Sequence, residues 1–137
     1  MSGKVLVVED DMHMRFLLKA VYETNGFVPV LARDGQSGLQ EARKHLPDVI
    51  VLDLMMPGQG GLVMYRELKA DPRLREIPVI VLSAVEEKSF RHSVSMLRAG
   101  GGEQLPDPDR YLEKPPDPER LIEETRALLV QRGLQGE

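Results

Sequence analysis

The residues of this chain best suited to chemistry stand in four places: Glu9-Asp10-Asp11, Asp53, Ser83 and Lys114. Each lies at the end of a short apolar run: Val5 to Val8, Val49 to Leu52, Val79 to Leu82, and Tyr111-Leu112. A carboxylate beside a core segment is costly unless it is paired or serves a purpose. Asp53 in "DVIVLDLMMPG" is the sharpest case, because apolar residues flank it on both sides. Taken singly, Asp53 also suits a turn, and Lys114 an ordinary surface position. Their joint occurrence at successive run ends favours a shared site. Carboxylates crowded there repel one another unless a cation neutralises them, and an oxygen-only donor set with few protein ligands suits Mg2+. Asp10 and Asp53 are the first candidates as ligands. Lys114 can balance the same charge, and its ammonium can hold a phosphoryl oxygen. Asp11, directly before an apolar-periodic stretch, reads instead as a helix N-cap.

The elements that must position these residues alternate. Between the apolar runs, to which Phe27 to Leu31 also belongs, lie longer segments whose apolar residues recur at helical spacing. The stripes are Met14, Leu17, Leu18, Val21; Leu39, Ala42, Leu46; Leu62, Tyr65, Leu68; Phe90, Val94, Leu97; and Leu121, Ile122, Thr125, Leu128, Leu129. Five helices are expected. Gly26 is placed to stop the first and Pro47 follows the second, while Asp117-Pro118-Glu119 combines a cap, a first-turn proline and an acid that complements the dipole of the last. Near-continuous Val/Ile/Leu strands imply burial on both faces, hence an α/β doubly wound parallel sheet whose strand ends gather at a topological switch point. The fifth strand is weak, and the linker "RAGGGEQLPDPDR" between Leu97 and Tyr111 reads as a mobile surface loop, centred on about 100–110.

The chain has 137 residues, enough for one domain and short for two, with the core spanning about 4–132. With 18 basic against 22 acidic residues and a formal net charge of -4, it has no broad basic field for direct nucleic-acid binding. Cysteine is absent, which removes disulfides, thiolate metal sites and a cysteine nucleophile. The apolar runs are strand length, and the N-terminus lacks a signal-peptide stretch, so no membrane association and a cytoplasmic location are expected.

In order and separation, "VLVVEDD", "DVIVLDLMMPGQGG", "VIVLSA" and "YLEKP" resemble the receiver domain of two-component response regulators, from about Lys4 to Arg132. The resemblance implies the flavodoxin-like (βα)5 fold, a five-stranded parallel sheet of order 2-1-3-4-5. It implies that Asp53 is the phosphoacceptor, that Glu9 and Asp10 hold Mg2+ together with Asp53 and the backbone carbonyl of Met55, and that Lys114 is the family's lysine. Ser83 and Tyr111 match the switch hydroxyl and the switch aromatic. The implied partners are a sensor histidine kinase or phosphotransfer protein upstream, and a downstream protein or a missing output domain. A phosphorylation-dependent homodimer is a further implication, and a classical enzyme is not expected.

Some positions individualise the pattern. Met55 and Val85, two residues beyond Asp53 and Ser83, are both apolar, so neither should orient a water on an acyl phosphate, and a long-lived phosphorylated form is expected. Pro116 stands where the family more often has a large apolar residue. The methionines are expected to fill the core, His13, His45 and His92 lack a ligand spacing, and Arg91, Arg98 and Arg110 could form a small basic patch, with simple solvation preferred. Three other readings compete with this one. A phosphorylation-independent pseudo-receiver scaffold is opposed by the intact set of site residues. An aspartate-nucleophile phosphohydrolase would want a second acid where Met55 stands. A nucleotide loop built on Gly58, Gly60 and Gly61 lacks the remaining fingerprint.

Overall fold

The structure, a computed structural model, describes residues 3–54, 60–92 and 105–133. Strands β1 (Lys4–Val8), β2 (Val28–Ala32), β3 (Val49–Leu52), β4 (Val79–Ser83) and β5 (Arg110–Glu113) form one sheet in the order β2-β1-β3-β4-β5. Every neighbouring pair is parallel. The helices are α1 (Met12–Thr24), α2 (Gly35–His45), α3 (Gly60–Ala70), α4, described over 87–92, and α5 (Pro118–Gln131). The parallel sheet is what the strand-helix alternation leads one to expect, and its order is the flavodoxin-like one that the resemblance implies.

The continuous apolar runs resolve into two faces because successive side chains of a strand point to opposite sides. Leu6, Val8, Ile50, Leu52, Val79 and Val81 pack with Leu39 and Ala42 of α2 and with Met64 and Leu68 of α3. Val5, Val7, Val49, Val51, Ile80 and Leu82 pack with Leu18 and Tyr22 of α1 and with Leu121 and Leu128 of α5. Double-sided burial holds for β1, β3 and β4. The edge strands are more open, and Val28 at the start of β2 is 48% exposed.

Local signals set the helix ends. Asp11 Oδ1 accepts from the Met14 amide at 3.2 Å, Asp34 Oδ1 from Ser37 at 2.8 Å and Asp117 Oδ1 from Glu119 at 3.1 Å, satisfying amides that the first helical turn leaves open. Pro118 occupies the first turn of α5, as read from the sequence. Gly26 leaves α1 at φ +86, and Leu46 closes α2 at φ +46, a left-handed position that few β- or γ-branched side chains take.

Only the end of the linker before β5 can be set beside the expected surface loop. Its residues 93–104 lie outside the described ones, and 105–109 form an irregular connection with Pro106, Asp107 and Asp109 exposed, anchored at three points. Leu105 is buried in the core, the Tyr65 hydroxyl donates to the Pro106 carbonyl at 2.7 Å, and Asp109 Oδ2 accepts from the Val79 amide at 2.8 Å. Of the methionines, Met64 fills the core as expected, whereas Met12 is exposed. Arg91 pairs with Glu87 and Arg110 with Glu124, so each of the two described arginines of the trio Arg91, Arg98 and Arg110 has an acidic partner.

Candidate functional site

Strand order reverses at β1 and β3, which makes the carboxyl ends of these two strands the switch point of the sheet. Their register pairs Val8 with Leu52, so the next residues, Glu9 and Asp53, stand side by side. The Asp53 amide donates to the Val8 carbonyl at 3.0 Å, extending the ladder by one bond beyond β3. On the other flank, β4 and β5 pair Ser83 with Glu113, and the Lys114 amide donates to the Ser83 carbonyl at 2.8 Å. Lys114 thereby leaves the sheet at the same level as the acids. The Lys114-Pro115 peptide is cis.

The side chains converge. Carboxylate oxygens of Glu9, Asp10 and Asp53 all lie within 4.8 Å of one another. Lys114 Nζ reaches Glu9 Oε1 at 2.6 Å and Asp53 Oδ2 at 3.0 Å. Glu9 and Asp53 are buried while Asp10 is open to solvent, so the cluster has one accessible side. Glu9 Oε2 also accepts from the Asp11 amide at 3.1 Å.

Residues 5–126 match the family model of the response regulator receiver domain. The chain belongs to that family. It is 36% identical over 129 residues to the phosphate regulon transcriptional regulatory protein PhoB of Escherichia coli (strain K12), covering 94% of this chain and 52% of PhoB. The chain thus spans about half the length of the PhoB sequences it matches. It is 33% identical over 129 residues to the polar-differentiation response regulator DivK of Brucella ovis, covering 94% of this chain and 98% of DivK. Among solved structures, the receiver domain of the Francisella response regulator 1452 superposes with a TM-score of 0.77 at 30% identity, covering 96% of this chain and 99% of that one. This chain is therefore a receiver domain of two-component signalling.

Electrostatics sharpen the geometry of the receiver domain. Burial pushes the Glu9 carboxyl above its ordinary range, with the neighbouring Asp53 charge adding to that and contacts with Lys114 and the Asp11 amide opposing it. Burial alone would lower the Lys114 ammonium, but its close contacts with Glu9 and Asp53 and their charge attraction outweigh it and raise the group. The oxygen-only trio fits the donor chemistry of a hard divalent cation. Glu9 Oε1 is fully enclosed and meets Lys114 as an ion pair without a hydrogen bond of good geometry, so two buried carboxylates share one ammonium.

Ser83 and Tyr111 are joined through Val85. The Val85 amide donates to Ser83 Oγ at 3.1 Å, and its carbonyl accepts from the Tyr111 hydroxyl. The Tyr111 ring packs against Phe90 with centroids 5.2 Å apart, and burial raises its hydroxyl above the usual range.

Of the candidate site residues read from the sequence, Glu9, Asp10, Asp53 and Lys114 meet directly and Ser83 and Tyr111 are linked beside them, with Asp11 in its capping role and His13 exposed on α1. Met55 lies outside the described residues. Two contributors escaped the sequence reading. Gly61, considered there only for a nucleotide loop, starts α3 so close to the site that an added Cβ would stand 2.2 Å from the Asp53 carbonyl oxygen and 2.5 Å from Leu54 Cα. Arg15 donates through one guanidinium nitrogen to the carbonyls of Glu9, at 2.9 Å, and Asp10, at 3.3 Å. The glycine pair after the Asp53 loop was a visible signal for the first; nothing in the spacing marked the second. No helix among the described residues is long and apolar enough to cross a membrane.

Proposed function

We propose that Asp53 is the phosphoacceptor of this receiver domain and that Glu9, Asp10 and Asp53, with the Met55 backbone carbonyl, hold Mg2+. The observation that carries the reading is the Lys114 ammonium in contact with both Glu9 and Asp53, beside three carboxylates within 4.8 Å. An Asp53 carboxylate oxygen attacks the phosphorus of a phosphohistidine on a sensor kinase or phosphotransfer protein. The new P–O bond forms as the P–N bond breaks, and the electron pair stays on the imidazole nitrogen. Lys114, already directed at Asp53, neutralises an oxygen of the transferred group. Bound Mg2+ supplies charge neutralisation among the acids and the phosphoryl oxygens.

The acyl phosphate adds negative charge and strong acceptor oxygens next to Ser83. The Ser83 hydroxyl, now accepting from the Val85 amide, turns to donate to the phosphoryl group, and the Val85 link to Tyr111 is rebuilt. The change is read on the face of α4, β5 and α5 by a downstream protein, an output domain or a second copy of the chain. Residues 4–132 act as one cytoplasmic domain on this reading, a switch that assists its own phosphorylation rather than a classical enzyme.

The test is intact mass after incubation with acetyl phosphate and Mg2+, alongside Asp53→Asn and a metal-free control. A single phosphoryl adduct that needs both Asp53 and Mg2+ supports the reading. No adduct, with a phosphorylated histidine kinase as donor as well, would favour a phosphorylation-independent scaffold.

A further inference from the structure

We infer that Arg15 is a positioning residue for the cation site, fixing the Glu9-Asp10 backbone so that the Asp10 carboxylate is presented to Mg2+. The inference rests on the reading that Glu9, Asp10 and Asp53 hold the ion. The β1 ladder ends at this point: the Glu9 amide makes its bond to the Ala32 carbonyl at 3.0 Å, and the chain then turns into α1. The carbonyls of Glu9 and Asp10 lie in that turn, beyond the paired strand. Arg15, in the first turns of α1, reaches back to both, at 2.9 and 3.3 Å, while its own amide bonds to the Asp11 carbonyl at 2.8 Å. One side chain thus closes the turn on itself.

The three acids are not equally held. Glu9 is tied to the Asp11 amide and to Lys114, and Asp53 to Lys114. The Asp10 carboxylate makes no hydrogen bond or ion pair among the described residues, so its placement depends on the backbone that Arg15 grips. Two opposed effects decide the sign of an Arg15 substitution. The guanidinium charge repels a nearby cation, which its removal would relieve, whereas a loosened turn makes cation binding order the Asp10 carboxylate. The guanidinium is already engaged by two carbonyl dipoles and part of its charge faces solvent, so the ordering effect outweighs the repulsion.

The experiment is calorimetric titration of the intact chain with Mg2+, without any phosphoryl donor, for the wild type, Arg15→Ala, Arg15→Lys and Asp10→Asn. Metal-free circular dichroism and thermal unfolding of each variant accompany it. Loss of a group that orients a metal ligand weakens affinity by about tenfold or more, which is the shift expected for Arg15→Ala. Arg15→Lys keeps the charge, but its ammonium stands one bond short of the guanidinium nitrogen that meets both carbonyls, and it recovers part of the loss. Unchanged or tighter Mg2+ binding by folded Arg15→Ala overturns the inference. If that variant does not fold, Arg15→Lys decides: weaker binding supports the inference and wild-type affinity overturns it. No Mg2+ binding by the wild type, or wild-type affinity in Asp10→Asn, overturns the cation reading itself and the role of Arg15 with it.

Discussion

Tyr22 in α1 and Thr125 in α5 meet hydroxyl to hydroxyl at 2.9 Å, both fully buried, on the sheet face away from α2 and α3. Thr125 Oγ1 donates to the Leu121 carbonyl at 2.8 Å, so the bridging proton comes from Tyr22. Burial raises the Tyr22 hydroxyl well above its usual range. An acid whose folded pKa is raised stabilises the fold while it stays protonated and loses that contribution once the unfolded chain can ionise. Stability should therefore hold up to about pH 10, the ordinary tyrosine value, and fall above it. Tyr22→Phe should cost about 1 kcal/mol at pH 7, because Thr125 keeps its other bond, and should flatten the alkaline decline. Urea denaturation of both proteins at neutral and alkaline pH checks this.

Lys114→Ala leaves the Glu9 and Asp53 carboxylates buried without their shared cation. Removing one partner of such a group costs about 3 kcal/mol at pH 7 by the usual range for buried pairs, discounted for the partial exposure of Lys114. The raised Glu9 pKa sets the pH dependence: ionised Glu9 is disfavoured in the fold, and without Lys114 that penalty grows. The variant should lose more stability at pH 7 than just above the ordinary glutamate range, where Glu9 takes up a proton. Denaturation at the two pH values, without added metal, measures the difference.

Gly61→Ala should push the start of α3 away from Asp53, since both atoms in the way, the Asp53 carbonyl oxygen and Leu54 Cα, belong to the backbone. Overpacking of this kind costs about 1–3 kcal/mol. Gly38→Ala is the contrast. Its Cβ would meet the sulfur of Met64 at 2.8 Å, the far end of a flexible side chain, and the loss should be smaller. Thermal unfolding ranks the two, and acetyl phosphate labelling should slow in Gly61→Ala alone.

The phosphorylated form should outlast seconds by a wide margin, because Met55 and Val85 offer no polar atom of their side chains to a water approaching the acyl phosphate. The mass of the adduct, followed over time, reports its decay. Val85→Glu introduces a carboxylate able to orient that water and should shorten the lifetime.

Strand positions were readable because double-sided burial produces uninterrupted apolar runs. The run at Phe27 to Leu31 starts one residue before β2: Phe27 is apolar for a different reason, packing edge-on against Tyr22 at 5.5 Å, while Ala32 carries little strand signal. β5 was visible only at Tyr111-Leu112, since Arg110 and Glu113 lie on an open edge where side chains need not be apolar. The site was legible through its acids, hydroxyl and lysine, whose types are unusual at strand ends. Arg15 and Gly61 act through carbonyls and Cβ clearance, contacts across space that leave no periodic trace. The role of Val85 is similarly carried by its backbone, which any residue but proline would supply in full.

The anchoring of Leu105 to Asp109 has a consequence for how this chain can vary. Tyr65 and Val79 clamp that short stretch from α3 and β4, so β5 enters the sheet from a fixed point and delivers Tyr111 and Lys114 from there. Substitutions at Tyr65 or Asp109 should therefore be felt at Tyr111 and Lys114, although both act at the end of β5 opposite Lys114.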